Sequence, residues 1–373
     1  MKKLSTFKLV PGMTIAENVL SYDRQVILAK GTVLTDNNIT RLEMYGVLSV
    51  YIEEDTSEEE VPENNTPIPE VVAPSESGGA SAPTYAQRIR ETQEFKAFKK
   101  DFEESTDGIK FVLNEMVEKN TPVDTNALME KPLELVKAAG GRVGLLDMLS
   151  NMRDYDDSTF AHSMNVALLN FVAAGWLGWS AEDQELAMSC GLLHDIGKLQ
   201  IEHEILTKPG KLTPMEYSKI QKHPVLGYSL LKDQAIDTHI KYAALMHHER
   251  YDGSGYPMKL TGKKIDNFAL LTAITDVYDA MTSARVYRGA MCPFHVIAIF
   301  EEEGFEKYES DYLLTFLSNV ANTYIRCSCQ LSDGRSGDII MMNKEKYSRP
   351  VIQCGKEYVD LMKHPELRIE KLI

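Results

Sequence analysis

The sequence predicts a mainly α-helical protein: a helical bundle, a small N-terminal α+β domain ahead of it, and a short β-rich appendage behind it. Three observations carry that prediction. Helix caps and 3.6-residue apolar periodicity follow one another from about residue 150 to 320. β-like runs gather only in residues 1–52 and 321–373. Between the N-terminal runs and the helices lies an acidic segment, residues 53–84, without a single Lys or Arg.

Taken in order, residues 7–20 and 25–34 read as short strands, broken at Pro11-Gly12 and at Ser21-Tyr22-Asp23. Thr35 caps a helical run over residues 39–42 that Gly46 ends, and residues 47–52 read as a closing strand. The segment 53–84 holds nine acidic residues among clustered Pro, Ser and Gly. It offers too little apolar surface to offset the entropy of ordering and reads as a flexible tether. Residues 85–149 form a helical connector, with Phe95, Phe98 and Phe102 at i, i+3 and i+7. That stripe either covers its own domain or pairs two protomers as a homodimer. In the bundle, residues 150–320, Ser180 with Asp183 marks one helix start and Thr213-Pro214-Met215-Glu216 another. The appendage, residues 321–373, places Ser332-Asp333-Gly334 and Ser336-Gly337 turns between β-like runs.

Composition narrows the functional classes. The chain has 373 residues, 43% hydrophobic and 25% charged, with a formal charge of −15, a balance that suits a folded acidic protein and opposes a nucleic-acid-coating one. No basic helix or stripe appears, so a nucleic-acid polymer is not an expected partner. Five cysteines are too few and too unevenly spaced for a disulfide framework, and Cys327-x-Cys329 reads as ordinary strand sequence. The N-terminus lacks a signal-peptide core. The longest apolar stretch, residues 164–179, is too short for a membrane span and is interrupted by Asn165 and Asn170. These features predict a cytoplasmic protein.

Histidine supplies the chemical signal. Seven of the nine histidines fall within the 87 residues from His162 to His248. His203 and His239 sit among polar neighbours and read as surface residues. His162 shares a helical face with Val166, Leu169 and Ala173 and so points inward. Together with His194, His223, His247 and His248 go two aspartates, Asp195 beside His194 and Asp276 in an apolar helical run. Buried imidazoles and carboxylates need partners, and a metal centre between facing helices supplies one for all of them. The adjacent pairs His194-Asp195 and His247-His248 let one backbone segment serve two metals. Mixed nitrogen and oxygen ligands suit iron, manganese or zinc.

His194-Asp195-Ile196-Gly197-Lys198, followed by His247-His248-Glu249-Arg250-Tyr251-Asp252-Gly253-Ser254-Gly255-Tyr256-Pro257, resembles the HD-GYP subgroup of HD-domain phosphohydrolases, bacterial phosphodiesterases that open cyclic di-GMP. The resemblance covers residues 150–320 and extends to Lys208-Pro209-Gly210, His223-Pro224, and Asp276 to Ser283 with Arg285 and Arg288. It implies an HD-type bundle and a binuclear centre of iron or manganese. Its ligands would be His162, His194, Asp195, His223, His247, His248 and Asp276, with Asp195 bridging. The implied reaction is attack of a metal-activated hydroxide on cyclic di-GMP, giving linear pGpG and then GMP in some members. Lys198 would stabilise charge on the phosphoryl group, while Tyr256, Gly255, Asp279, Arg285 and Arg288 would line the substrate pocket. An HD phosphohydrolase acting on another cyclic dinucleotide or nucleotide, or a sensor that binds cyclic di-GMP without cleaving it, are the alternatives. Ser158 stands where some members carry a glutamate that helps hold a third metal, which favours two metals here. Val286 replaces the usual proline.

Overall fold

The computed structural model describes residues 1–6, 9–20, 26–35, 38, 39, 42, 47, 49–53, 85–119, 121–152, 159–208, 210–283 and 290–373. The tether and the Arg285–Arg288 segment therefore lie outside the described residues, as does Ser158. The chain divides into two compact units, Met1–Arg88 and Ile89–Ile373.

In the first unit, β1 (Lys2–Ser5) pairs antiparallel with β4 (Ser49–Ile52), and β2 (Val19–Leu20) with β3 (Val26–Leu28). Ile15, Ile27, Leu28, Leu34, Val50 and Ile52 close a small core. The closing strand appears as predicted. The two longer strands do not: among the described residues of 7–20 and 25–34 only β2, β3 and the isolated bridges Thr14–Val33 and Ile15–Ile52 form. β1 went unpredicted because Lys2, Lys3 and Leu4 show no period-two burial signal, as befits an edge strand protected by lysines. Thr35 does cap, its hydroxyl accepting from the Asn38 N–H at 3.2 Å.

The second unit begins inside α1 (Tyr85–Glu91) and is helical as far as residue 323. Thr92 starts α2 (Gln93–Lys119) by accepting from the Phe95 N–H at 3.1 Å. Phe95, Phe98, Phe102, Ile109, Leu113 and Met116 form its buried stripe, which packs on α3 (Thr125–Ala138), α4 (Arg142–Met152) and α5 (Thr159–Trp176). The phenylalanines thus serve their own domain, and that face is not open to a second protomer.

The bundle continues through α6 (Ala181–Leu193), a 3-10 turn (Ile196–Gln200), α7 (His203–Leu206), α8 (Pro214–Ile220), α9 (His223–Leu231), α10 (Thr238–Met246) and α11 (Asn267–Thr282). Ser180 caps α6, and Thr213 with Glu216 makes the predicted capping box on α8. α5 and α6 pair along their lengths, α10 and α11 pack on α6, and the 3-10 turn lies against α9. That last contact depends on Gly197, where an added Cβ would stand 2.0 Å from the His223 carbonyl oxygen and 2.5 Å from the Gly227 nitrogen. Both obstacles are backbone. Gly197→Ala is therefore expected to destabilise the protein by about 3 kcal/mol or more, lowering its Tm by roughly 6–12 °C, as thermal unfolding would report.

After α12 (Pro293–Ile299), a π-helical turn (Phe300–Gly304), α13 (Phe305–Lys307) and α14 (Ser310–Thr323), the chain forms one antiparallel sheet. Its strands are β5 (Ser328–Leu331), β6 (Ser336–Met341), β7 (Val351–Cys354), β8 (Glu357–Asp360) and β9 (Ile369–Leu372), in the order β8-β7-β6-β5-β9. Cys329 is a buried strand residue of β5. Ser348 fastens the sheet to the helices by donating through N–H and hydroxyl to Glu301. Among the described residues no helix is long and apolar enough to cross a membrane.

Candidate metal centre

Every residue of the histidine–aspartate set comes from the end of a helix or from a face turned to the bundle interior. His162 sits in the first turn of α5, and His194 ends α6 with Asp195 opening the 3-10 turn after it. His223 starts α9, His247 and His248 follow α10, and Asp276 and Asp279 lie one turn apart on α11. His194, His223 and His247 are fully buried, and Asp195, Asp276 and Asp279 nearly so.

The hydrogen bonds fix which nitrogen faces the centre. Nδ1–H of His194 donates to the Gly191 carbonyl (2.6 Å), that of His223 to Ile220 (2.7 Å), and that of His247 to Ala243 (3.0 Å). A carbonyl only accepts, so the proton stays on Nδ1 and Nε2 presents a lone pair. The consequence is an unfavourable meeting. Nε2 of His223 and Nε2 of His247 face each other at 3.0 Å, with a lone pair on each. Nearby, His194 Nε2 and Asp195 Oδ1 are buried without hydrogen-bond partners. Buried acceptors in that state are costly unless a cation lies between them. The residues fit a metal.

Among the described residues three overlapping ligand groups emerge, His162–His194–Asp276, His223–His247–His248 and, between them, His194–Asp195–His247, the candidate ligand atoms of each lying within 4.8 Å of one another. Asp195 spans them: Oδ2 is 3.3 Å from His194 Nε2 and 3.7 Å from His162 Nε2, while Oδ1 is 3.2 Å from His223 Nε2 and 3.7 Å from His247 Nε2. The arrangement suits a binuclear centre, and this donor chemistry does not discriminate iron from manganese.

Protonation follows from burial and neighbours. Burial alone would depress His162, but it donates from Nε2 to Asp276 (3.1 Å) and from Nδ1 to Asp279 (2.7 Å), which lifts its pKa to about 9. Burial dominates for His223, lowered to about 4, and for His248, lowered to about 3. Desolvation would raise the Asp195 carboxyl, yet the Lys198 ammonium and the surrounding imidazoles hold it well below the usual range.

These directions predict a pH signature. Without metal, folding favours proton uptake on His162 between pH 6.5 and about 9, so stability falls as pH rises through that window. His223 and His248 stay neutral in the fold but protonate when unfolded, so stability also falls as pH drops from 6.5 to about 4. The metal-free protein is expected to melt highest near pH 6.5. Metal must displace the His162 proton, so calorimetry at pH 7.5 in buffers of different ionisation enthalpy should count one proton released at that site.

Other residues singled out in the sequence fall around this centre. Lys198 Nζ lies 2.5 Å from Asp195 Oδ2 and remains partly exposed. Tyr256 stacks on His248, ring centroids 4.7 Å apart at 25°. Asp279 faces His162 and accepts from the Ser283 hydroxyl at 3.1 Å, the position of a carboxylate that orients a ligand histidine. Gly255 is packed under its own chain: a Cβ there would stand 2.4 Å from the Arg250 nitrogen and 2.5 Å from the His248 oxygen. Its close backbone approach is to the loop itself.

Sequence reasoning gave Glu249 no role. Its buried carboxylate accepts from the Met258 N–H (2.6 Å) and the Leu260 N–H (2.9 Å), closing the loop that carries Tyr256. Arg250 braces the same loop, donating to the His247 and Glu249 carbonyls while its guanidinium lies 5.0 Å from the Tyr308 ring centroid. A charged residue directly after two ligand histidines was the available signal.

Residues 156–311 match a family model described as "HD domain", and residues 1–127 one described as "Domain of unknown function (DUF3391)". Residues 156–311 are an HD domain of the HD-GYP kind. The chain is 38% identical over 189 residues to the 3'3'-cGAMP-specific phosphodiesterase 1 of Vibrio cholerae, covering 51% of this chain and 38% of that protein. It is 39% identical over 141 residues to the cyclic di-GMP phosphodiesterase PA4108 of Pseudomonas aeruginosa, covering 38% and 34% respectively. The match thus spans little more than a third of those relatives. Among solved structures, the HDG"Y"P protein Bd1817 of Bdellovibrio bacteriovorus aligns over 84% of this chain and 97% of its own, with 16% identity and a TM-score of 0.43.

Proposed function

We propose that the protein is a metal-dependent phosphodiesterase that hydrolyses cyclic di-GMP to linear pGpG. The observation that carries the reading is the pair of histidine–aspartate clusters joined through the two oxygens of Asp195. His162, His194 and Asp276 would hold one cation, His223, His247 and His248 the other, with Asp195 between them. When bound, two divalent cations acidify water and polarise a phosphodiester. The chain's own contribution is to hold the ligand nitrogens as free lone pairs, through the carbonyls of Gly191, Ile220 and Ala243. Lys198 keeps Asp195 ionised and, being partly exposed, is within the site to meet phosphoryl charge. Tyr256 offers a ring beside His248 for a nucleobase or a phosphate hydrogen bond, and Arg285 and Arg288 supply guanidinium groups for the phosphates.

In this reading residues 150–320 are the catalytic core, 53–84 an acidic tether, 85–149 a connector, and 1–52 and 321–373 accessory domains. A second substrate has a specific observation in its favour, since one relative is named for 3'3'-cGAMP and another for cyclic di-GMP at nearly equal identity. Anaerobically purified protein incubated with each dinucleotide at matched concentration, with products and bound metal read together, tests both. Faster pGpG formation supports the first; a preference for 3'3'-cGAMP moves the assignment to the second; binding of either without product leaves a sensor.

A further inference from the structure

Asn170 links three of the helices presenting the centre by hydrogen bonds, none of them to a candidate ligand. It is 1% exposed, deep in an apolar stretch of α5. Its Nδ2 donates to the Ala187 carbonyl of α6 (3.0 Å) and to the Thr272 hydroxyl of α11 (2.9 Å), and its Oδ1 accepts from the Thr275 hydroxyl of α11 (2.5 Å). The Ala187 carbonyl can only accept, which fixes the orientation of the amide. Thr272 and Thr275 are themselves fully buried, and each hydroxyl has a partner.

Burying an amide here is not a route to stability, because an apolar residue of similar shape would fill the space without desolvating polar atoms. What directional bonds add is register. The apolar contacts between α5, α6 and α11 involve many small side chains, such as Ala167, Ala173, Ala187, Ala269 and Ala273, that constrain sliding weakly. Three hydrogen bonds from a single amide do constrain it. The bonds join the same three helices that carry His162, His194 and Asp276. Thr275 adjoins Asp276, Asn170 stands two turns (about 12 Å) from His162 on α5, and Ala187 two turns (about 10 Å) from His194.

We propose that Asn170, with Thr272 and Thr275, is a positioning residue for the metal centre, setting the separation of His162, His194 and Asp276. The inference rests on the metal-centre reading above. A role in stability alone would change the melting temperature and leave metal affinity untouched.

The test compares full-length wild type, Asn170→Leu and Thr275→Val, measuring Mn(II) affinity and stoichiometry by competition with a chromophoric chelator, alongside circular dichroism and the metal-free Tm. Asn170→Leu keeps the branching at Cγ, and Thr275→Val replaces only a hydroxyl by a methyl. Folded variants are expected to lose about 2- to 30-fold in affinity for at least one of the two ions, the scale on which packed residues without ligand contact alter a distant site. If Asn170→Leu does not fold, Thr275→Val decides the question. A folded variant with wild-type affinity for both ions overturns the positioning role while leaving the metal centre standing. A wild type that binds neither Mn(II) nor Fe(II) overturns both.

Discussion

Asp195→Asn is expected to reduce turnover by about 1,000-fold or more and to lower bound metal from two equivalents to one or none. The size follows from what Asp195 does in the structure. Its oxygens face both histidine sets, with distances of 3.2 to 3.7 Å to four imidazole nitrogens. An amide offers one acceptor where the carboxylate offered two, and it carries no charge to balance a pair of cations. It also strands the Lys198 ammonium, whose ion-pair partner Asp195 is. Elemental analysis with a turnover assay measures both effects. His194→Ala should behave alike for its ligand set. Turnover near wild type in a variant that has lost its metal would refute the assignment.

The second large effect is expected at Glu249. Glu249→Ala leaves the Met258 and Leu260 N–H groups without their carboxylate acceptor, inside a partly buried loop. Each bond is charge-assisted, and losing both costs about 3–5 kcal/mol. Only part of that will appear as global destabilisation, because the loop can open by itself. Hydrogen exchange is therefore the sharper measurement. The amides of Met258 and Leu260 are expected to exchange at least tenfold faster, while those of α5 and α6 keep their protection. KM for a cyclic dinucleotide should rise more than kcat falls, since the loop carries Tyr256 and supplies no metal ligand beyond His248. Unchanged protection of Met258 and Leu260 would mean the carboxylate is not what closes the loop.

The two experiments touch groups that differed sharply in how readable they were. Asp195 and the five histidines were legible because imidazole and carboxylate are scarce on apolar helical faces and because their adjacency is chemically conspicuous. Glu249 and Asn170 were not. Their importance lies in whose backbone or hydroxyl they meet, Met258 and Leu260 in one case, Ala187, Thr272 and Thr275 in the other. Such meetings exist only after the chain has folded. Helix starts were read correctly at Ser180 and Thr213 because a cap is a local event within four residues. The N-terminal strands were misplaced for the opposite reason. β1 exists because residues 49–52 return to it from more than forty positions away, and no window around Lys2 contains that information. Gly255 was expected to line the substrate pocket, whereas an added Cβ there would meet the loop's own backbone.

The three backbone carbonyls that hold His194, His223 and His247 have a consequence for how the protein responds to its surroundings. They belong to helices and turns that exist whether or not an ion is present, so the imidazoles are aimed before any cation arrives. Removing the metal with a chelator should then silence the protein without dismantling it, and restoring the metal should return activity on mixing, with no slow refolding phase. In the proposed reading, occupancy by metal, not refolding, sets whether the site can act.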